Sequence, residues 1–559
     1  MSNAVRAITC ENRGYAATRA MNTDTEGAFN LKMWIGSGDI KEIQLAYNGW
    51  YLGTTSIINI PNAIQILDLY INDGTTSVQI LKGGLGTFAI NPGDNDVRCD
   101  AISIQSAFGV EKWNRDGFFW VKGRFSVAAT SMAVPFPIRA VAQNANQQAI
   151  YYNPANTTPS ASSAVGVFTT TGSAPTASTG TIVPICLGKF FDAEDPHVWA
   201  GAGDSILESV NDAQSSTPGG IGIFQRALWN GGVNVKAGIN MAKSGSLAQP
   251  YYNAAGDVIS YWSQFCDQQL FEHGTNNFET SGNLITAAQM SDIDELCFAK
   301  AKSRGISKIL RTKLGPRTSS TDSYATEANQ TVTGSGWDVG GNVETFNNGL
   351  AAKVTSGTIN RVCEMNAWRG TNPKKWISDG VANKFTADGA HPQSNLTTLL
   401  AAEVRADMDF LDAQVAPIIV TSGVEPMSVT WNPTGADVAQ LDKNRTFLTT
   451  GNLTLVAADS GKAYVVKSGT SIFTLPATAP GLVYTFQFQG LNGGGQIQVS
   501  PVAADGIGAA GSAVVNKDLI LASATIKKGD FVKIISGVGA TGVTAWHLVE
   551  QRGIVTKEA

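Results

Sequence analysis

Four histidines occur in this chain. One of them, His391, stands in Asp388-Gly389-Ala390-His391-Pro392, far downstream of Gly203-Asp204-Ser205. A serine hydroxyl is a poor nucleophile at neutral pH; it needs an adjacent base, and the base needs a third group to orient it. Ser205, His391 and Asp388 are the residue types for those three tasks. Ser205 would attack an acyl carbon, His391 would take its proton, and Asp388 would hold the other ring nitrogen. Activity should then fall in mild acid, because a protonated imidazole cannot act as base. Attack on a carbonyl also builds an oxyanion, which needs donors aimed at it. Two segments between the serine and the histidine offer them. Asn240-Met241-Ala242-Lys243-Ser244-Gly245 could present the Gly245 N–H, and His273-Gly274-Thr275-Asn276-Asn277 the Asn276 side-chain amide. Each segment alone reads as loop punctuation. It is the ordered set that carries the chemistry.

No Gly-x-Ser-x-Gly pattern surrounds Ser205, which argues against the ordinary α/β-hydrolase elbow. The remaining histidines, His197, His273 and His547, lack metal-ligand spacing, so neither a metal nor another cofactor is expected. His273, beside the Asn276 loop, is a candidate pocket wall, although a structural role is the simpler reading.

These residues need rigid elements to hold them. His197-Val198-Trp199-Ala200 reads as a short strand leading into Ser205, so the serine falls at a strand's carboxyl end, where open α/β sheets place their ligands. Met290, Ile293, Leu296 and Cys297 are spaced for one helix face, and Gly305 stops that helix before the strand Ser307–Arg311. Leu396, Leu400, Val404, Met408 and Leu411 form a second apolar stripe. Residues 183–417 are therefore expected to form a three-layer α/β/α domain with a mostly parallel sheet.

Two β regions flank it. Residues 1–153 contain strand-like runs at Ile43-Gln44-Leu45, Ile64–Ile71 and Phe118–Phe125, punctuated by Asn72-Asp73-Gly74 and Pro92-Gly93-Asp94, and predict a β-sandwich or jelly roll. Residues 154–182, rich in Ser, Thr, Ala, Gly and Pro, read as a linker or exposed hairpin. Residues 418–559, with Ala463–Val466, Val483–Phe488 and Phe531–Ile535, predict a C-terminal β-sandwich module.

The bulk numbers exclude several function classes. A formal net charge of -5, without a Lys/Arg block, gives no electrostatic footprint for nucleic acid or an anionic membrane. No long apolar run suggests membrane insertion, and the opening residues lack a signal-peptide core. The six scattered cysteines read as buried free thiols. The expectation is a chain made in a cytoplasm and not secreted by the usual route.

The four motifs resemble the four blocks of the SGNH (GDSL-type) hydrolase family, over residues 195–415 or so. The resemblance implies an ester hydrolase with Ser205 as nucleophile and first oxyanion donor, Gly245 and Asn276 completing the hole, and His391 as base oriented by Asp388. Asn277 departs from the aspartate many members carry, which should affect loop packing rather than chemistry. SGNH relatives act on acyl esters, often acetyl groups on polysaccharides, so an acylated polysaccharide is the expected substrate. Trp337, Trp368, Trp376, Trp34, Trp50, Tyr51 and Trp113 are candidates for stacking on sugars, with buried core as the default. The final module is similar to β modules near the ends of bacteriophage tail fibres and tailspikes. That likeness implies a virion location, other virion proteins as partners and room for a homotrimer. Two alternatives stay open: a receptor-binding or structural virion protein whose hydrolase domain has lost activity, and a cellular carbohydrate esterase.

Overall fold

The computed structural model describes residues 4–413, less 16, 137–146, 178–180, 192–195, 209, 213–220, 254–255, 280–284 and 335, and most of 445–557. The chain divides into two compact units, 1–419 and 420–559. The expected boundary at 417/418 falls outside the described residues.

At the centre of the first unit lies a six-stranded, all-parallel sheet. Its strands are β1 (Asn12–Arg13), β2 (Val198–Ala202), β3 (Ala237–Asn240), β4 (Gln268–Phe271), β5 (Lys308–Thr312) and β6 (Arg361–Cys363), in the order β1-β3-β2-β4-β5-β6. β2 to β5 are buried along their whole length, as expected of strands covered on both faces. From β2 the chain steps one way to β3, then crosses over to β4, β5 and β6. That reversal opens a crevice at the carboxyl ends of β3, β2 and β4.

Among the helices that accompany the sheet are α1 (Ser205–Glu208), α2 (Ile223–Trp229), α3 (Ala287–Ser303), α4 (Asn342–Thr355) and α5 (Ser394–Ala413). On α5 the apolar stripe Leu396, Leu400, Val404, Met408 and Leu411 is buried as its spacing predicts. On α3 the stripe is partly displaced. Met290, Ile293 and Cys297 are buried, but Leu296 is 50% exposed and Asp294 takes a place inside. The reason is electrostatic: Arg311 on β5 is fully buried, and Asp294 Oδ2 accepts its Nε–H at 2.8 Å.

The N-terminal region builds two large antiparallel sheets beside smaller two-stranded ones. One centres on Glu26–Trp34, Phe118–Ser126 and Ile64–Asn72, the other on Ile40–Tyr47. The expected boundaries between this region and the α/β domain need correction. Ile185–Phe190, assigned to the hydrolase domain by sequence, pairs with Ile40–Tyr47 and Arg6–Ala7 in the N-terminal sheet. Conversely, Asn12–Arg13 leaves the N-terminal region to become edge strand β1 of the parallel sheet. One apolar core runs through both. In segment 154–182, Thr157–Pro159 and Thr170–Gly172 form a hairpin, and Thr176–Ala177 pairs with Gln148–Tyr152. Local composition reports a strand's period but not its partner, so exchanges of this kind leave no local signal.

The second unit also has two sheets around one core. Its first six strands among the described residues alternate between the sheets and pair in parallel: Arg445–Leu448, Ala463–Val466 and Val483–Phe488 on one side, Leu453–Thr454, Gly469–Thr474 and Gly495–Ser500 on the other. This is a coil of successive rungs rather than the hairpin-linked antiparallel layers of an ordinary sandwich. All six cysteines of the chain are buried free thiols.

Candidate active site

Three neighbouring strands deliver the chemistry. β2 ends at Ala202, and Gly203-Asp204 turns the chain so that Ser205 opens α1. The turn demands glycine: a Cβ on Gly203 would lie 2.7 Å from both Glu272 Oε2 and Leu207 Cβ. β3 runs into the Gly245 loop, and β4 leads into the short helix Thr275–Glu279 that carries Asn276. His391 stands on the loop before α5.

The structure brings Ser205, His391 and Asp388 into one hydrogen-bonded line. His391 Nε2 lies 2.8 Å from Ser205 Oγ, and His391 Nδ1 lies 2.7 Å from Asp388 Oδ2. Asp388 Oδ1 also accepts the backbone N–H groups of Ala390 and His391. Partial burial of Asp388 works against its charge, but these bonds, led by the one from the His391 ring, outweigh it and hold the carboxyl well below its usual range. An ionised carboxylate on Nδ1 fixes the tautomer that leaves Nε2 to accept the Ser205 proton. Ser205 itself is 5% exposed, whereas the His391 side chain keeps 22% of its surface open to solvent.

Accounting for backbone donors locates the oxyanion position. Met241 N–H donates to Gly201 O, Ala242 N–H to Asn240 Oδ1, Lys243 N–H to Gly203 O and Ser244 N–H to Glu208 Oε2. Beyond the glycine, Ser246 N–H donates to Lys243 O, Leu247 N–H to Thr54 O and Ala248 N–H to Asn277 Oδ1. Among the described residues, the Gly245 and Ser205 N–H groups have no protein acceptor. Gly245 adopts a left-handed φ of 76°. The Asn276 amide is anchored by donating one hydrogen to Ser246 O at 3.1 Å. Asn277 joins the same loop, donating through Nδ2 to Gln249 Oε1 at 2.8 Å.

No family model matches this chain. No curated protein matches it either. Solved structures similar to it include a GDSL-like lipase from Bacteroides thetaiotaomicron, 13% identical over 38% of this chain and 88% of that one, with a TM-score of 0.27. A carbohydrate esterase family 3 protein from Talaromyces cellulolyticus is 14% identical over 39% and 98%, at 0.26. A Bacillus subtilis protein is 11% identical over 69% and 81%, at 0.28.

Two residues at the site, Asn211 and Glu272, carried no sequence signal. Asn211, just beyond α1, donates through Nδ2 to Asp388 Oδ2 at 2.7 Å. Glu272 lies under the nucleophile turn and accepts the Asp204 N–H at 2.9 Å. Burial, then the charge of Asp204 beside it, pushes the Glu272 carboxyl well above its usual range; burial raises Asp204 too. Trp376, fully buried, donates its indole N–H to Gly389 O at 2.9 Å and so backs the Asp388 turn. Trp50 and Trp368 are equally buried, and Trp337 is 5% exposed. His273 is buried with its ring pushed down to about 3, first by burial and then by Arg311. His197 binds Asp267 through Nδ1 at 2.8 Å, at the far end of β2 from Ser205.

Proposed function

We propose that the α/β domain is a serine ester hydrolase of the SGNH type. The observation that carries this reading is the unbroken line from Ser205 Oγ through His391 to Asp388, set beside the two N–H groups left without an acceptor. In this reading His391 removes the Ser205 proton as the hydroxyl attacks an ester carbonyl. The Ser205 and Gly245 N–H groups and the Asn276 amide receive the oxyanion. His391 then gives its proton to the departing alcohol, and returns as base for the water that releases the acid. Donors held by strand ends are already oriented when charge develops, so little reorganisation is needed at that moment.

For the substrate we assign an acyl group, acetyl first, on a bacterial surface polysaccharide, with the chain acting as part of a phage virion. Support comes from the likeness of the C-terminal module to those of tail fibres and tailspikes. A screen of acetylated bacterial polysaccharides, with wild-type and Ser205→Ala protein, tests both parts. Acetate release by the wild type alone is expected; equal release by the variant would end the enzyme reading. Asn276→Ala should lower turnover by roughly 10²–10³.

A further inference from the structure

Two strands along from the nucleophile, on the same carboxyl edge of the sheet, lies a cleft of about 220 Å³ whose walls include Lys313, Leu314, Pro316, Trp337, Asn348 and Arg369. β2, β4 and β5 are consecutive neighbours, which puts the start of the cleft roughly 10 Å from Ser205 at ordinary strand spacing. One stretch of chain joins the two places. Lys313–Pro316 lines the cleft, and two residues on, Thr318 N–H donates to Gly389 O at 3.1 Å within the Asp388–His391 turn.

The charges in the cleft are unevenly satisfied. Lys374 is saturated, its ammonium donating to Asp338 O at 2.6 Å, to Glu344 Oε2 at 2.8 Å and to Trp337 O at 3.4 Å. Lys313 and Arg369 instead share a single carboxylate, Glu364, at 2.6 and 3.8 Å. The sharing is lopsided in exposure as well. Glu364 keeps 48% of its side-chain surface open, against 18% for Lys313 and 27% for Arg369. Arg369 spends one guanidinium N–H on Glu364 O, and a guanidinium has five. The walls themselves carry three cations, Lys313, Arg369 and Lys374, against one carboxylate, Glu344, which Lys374 holds, and with an indole and a side-chain amide they make a surface for a polar ring that bears a negative charge.

We propose that this cleft is a subsite for a carboxylate-bearing sugar, a uronate, of the same polymer whose ester reaches Ser205. The assignment rests on the esterase reading and narrows its substrate to acidic glycans. Lys313 and Arg369 hold the carboxylate, and the pyranose lies against the Trp337 and Pro316 wall.

The test compares acetylated polygalacturonate, acetylated xylan and 4-nitrophenyl acetate as substrates. The wild type should favour the acidic polymer over xylan, and added salt should erode that preference by screening the charges. In a Lys313→Gln/Arg369→Gln variant, kcat/KM on the acidic polymer, divided by that on 4-nitrophenyl acetate, should fall at least tenfold, the scale of one lost charge-assisted contact. Lys313→Arg with Arg369 intact should restore it. An unchanged ratio, or an equal fall on acetylated xylan, overturns the subsite. Titration calorimetry with unesterified oligogalacturonate separates the two proposals. If no ester is cleaved but binding weakens in the double variant, the subsite stands and the esterase reading fails; if esters are cleaved and oligogalacturonate binds both proteins alike, the subsite fails alone.

Discussion

Asp388 is the most heavily engaged side chain at the site, and Asn211 is its least expected partner. The Oδ2 atom that steers His391 also accepts the Asn211 amide, while Oδ1 takes two backbone N–H groups. Asn211 follows the nucleophile by a few residues, so one short segment carries both Ser205 and a brace for the far end of the triad. Asn211→Ala should lower kcat about tenfold with little change in KM, since a hydrogen bond to a charged group is worth roughly 1.5–3 kcal/mol. Steady-state kinetics on a small ester reads the split. A rise in KM with kcat intact would make Asn211 a substrate contact instead.

Turns and strand edges matter as much as the reacting groups. Gly389 sits at φ 71°, and a Cβ there would run into Thr318 O and the Tyr324 hydroxyl. Gly389→Ala should therefore destabilise the fold by roughly 1–3 kcal/mol and displace the Asp388–His391 turn with it. A lowered melting temperature together with lost ester turnover checks this. Edge strand β1 carries a different signature. Beside it, the buried Glu11 carboxylate accepts the Trp34 N–H at 2.9 Å, and burial pushes its pKa up from 4.5 to about 8. The unfolded chain releases that proton near the ordinary value, the folded chain only near 8. The contribution to stability is thus complete below about 4.5 and declines as pH rises towards 8. Glu11→Gln should flatten the melting temperature across that window and raise it at the alkaline end. A parallel loss of stability in both proteins would contradict the sign.

At the scale of the molecule, the N-terminal sheets and the α/β domain are one structural unit. They trade strands in both directions and share a core, and the Thr54 carbonyl of the N-terminal region holds the Leu247 N–H of the Gly245 loop. Cutting at the boundary read from sequence would remove β1, both strands that Ile185–Phe190 pairs with, and that carbonyl brace. Fragment 183–419 should fail to fold, while fragment 1–419 should melt as one cooperative transition and keep ester turnover. Scanning calorimetry decides; a folded 183–419 fragment would show the exchange to be dispensable.

The residue types for a nucleophile, a base and an orienting acid were legible in the chain because they sit in short motifs with fixed spacing. The helix α5 stripe and the longer strands were legible because periodicity is local. What folding alone decided is which distant groups meet. Nothing in the sequence pairs Asn211 with Asp388, puts Glu272 beneath Gly203, trades Leu296 for Asp294 on α3, or lends Asn12–Arg13 to another sheet. Each follows from a buried donor, charge or strand edge finding its complement across the core, and such complements lie far apart in the chain.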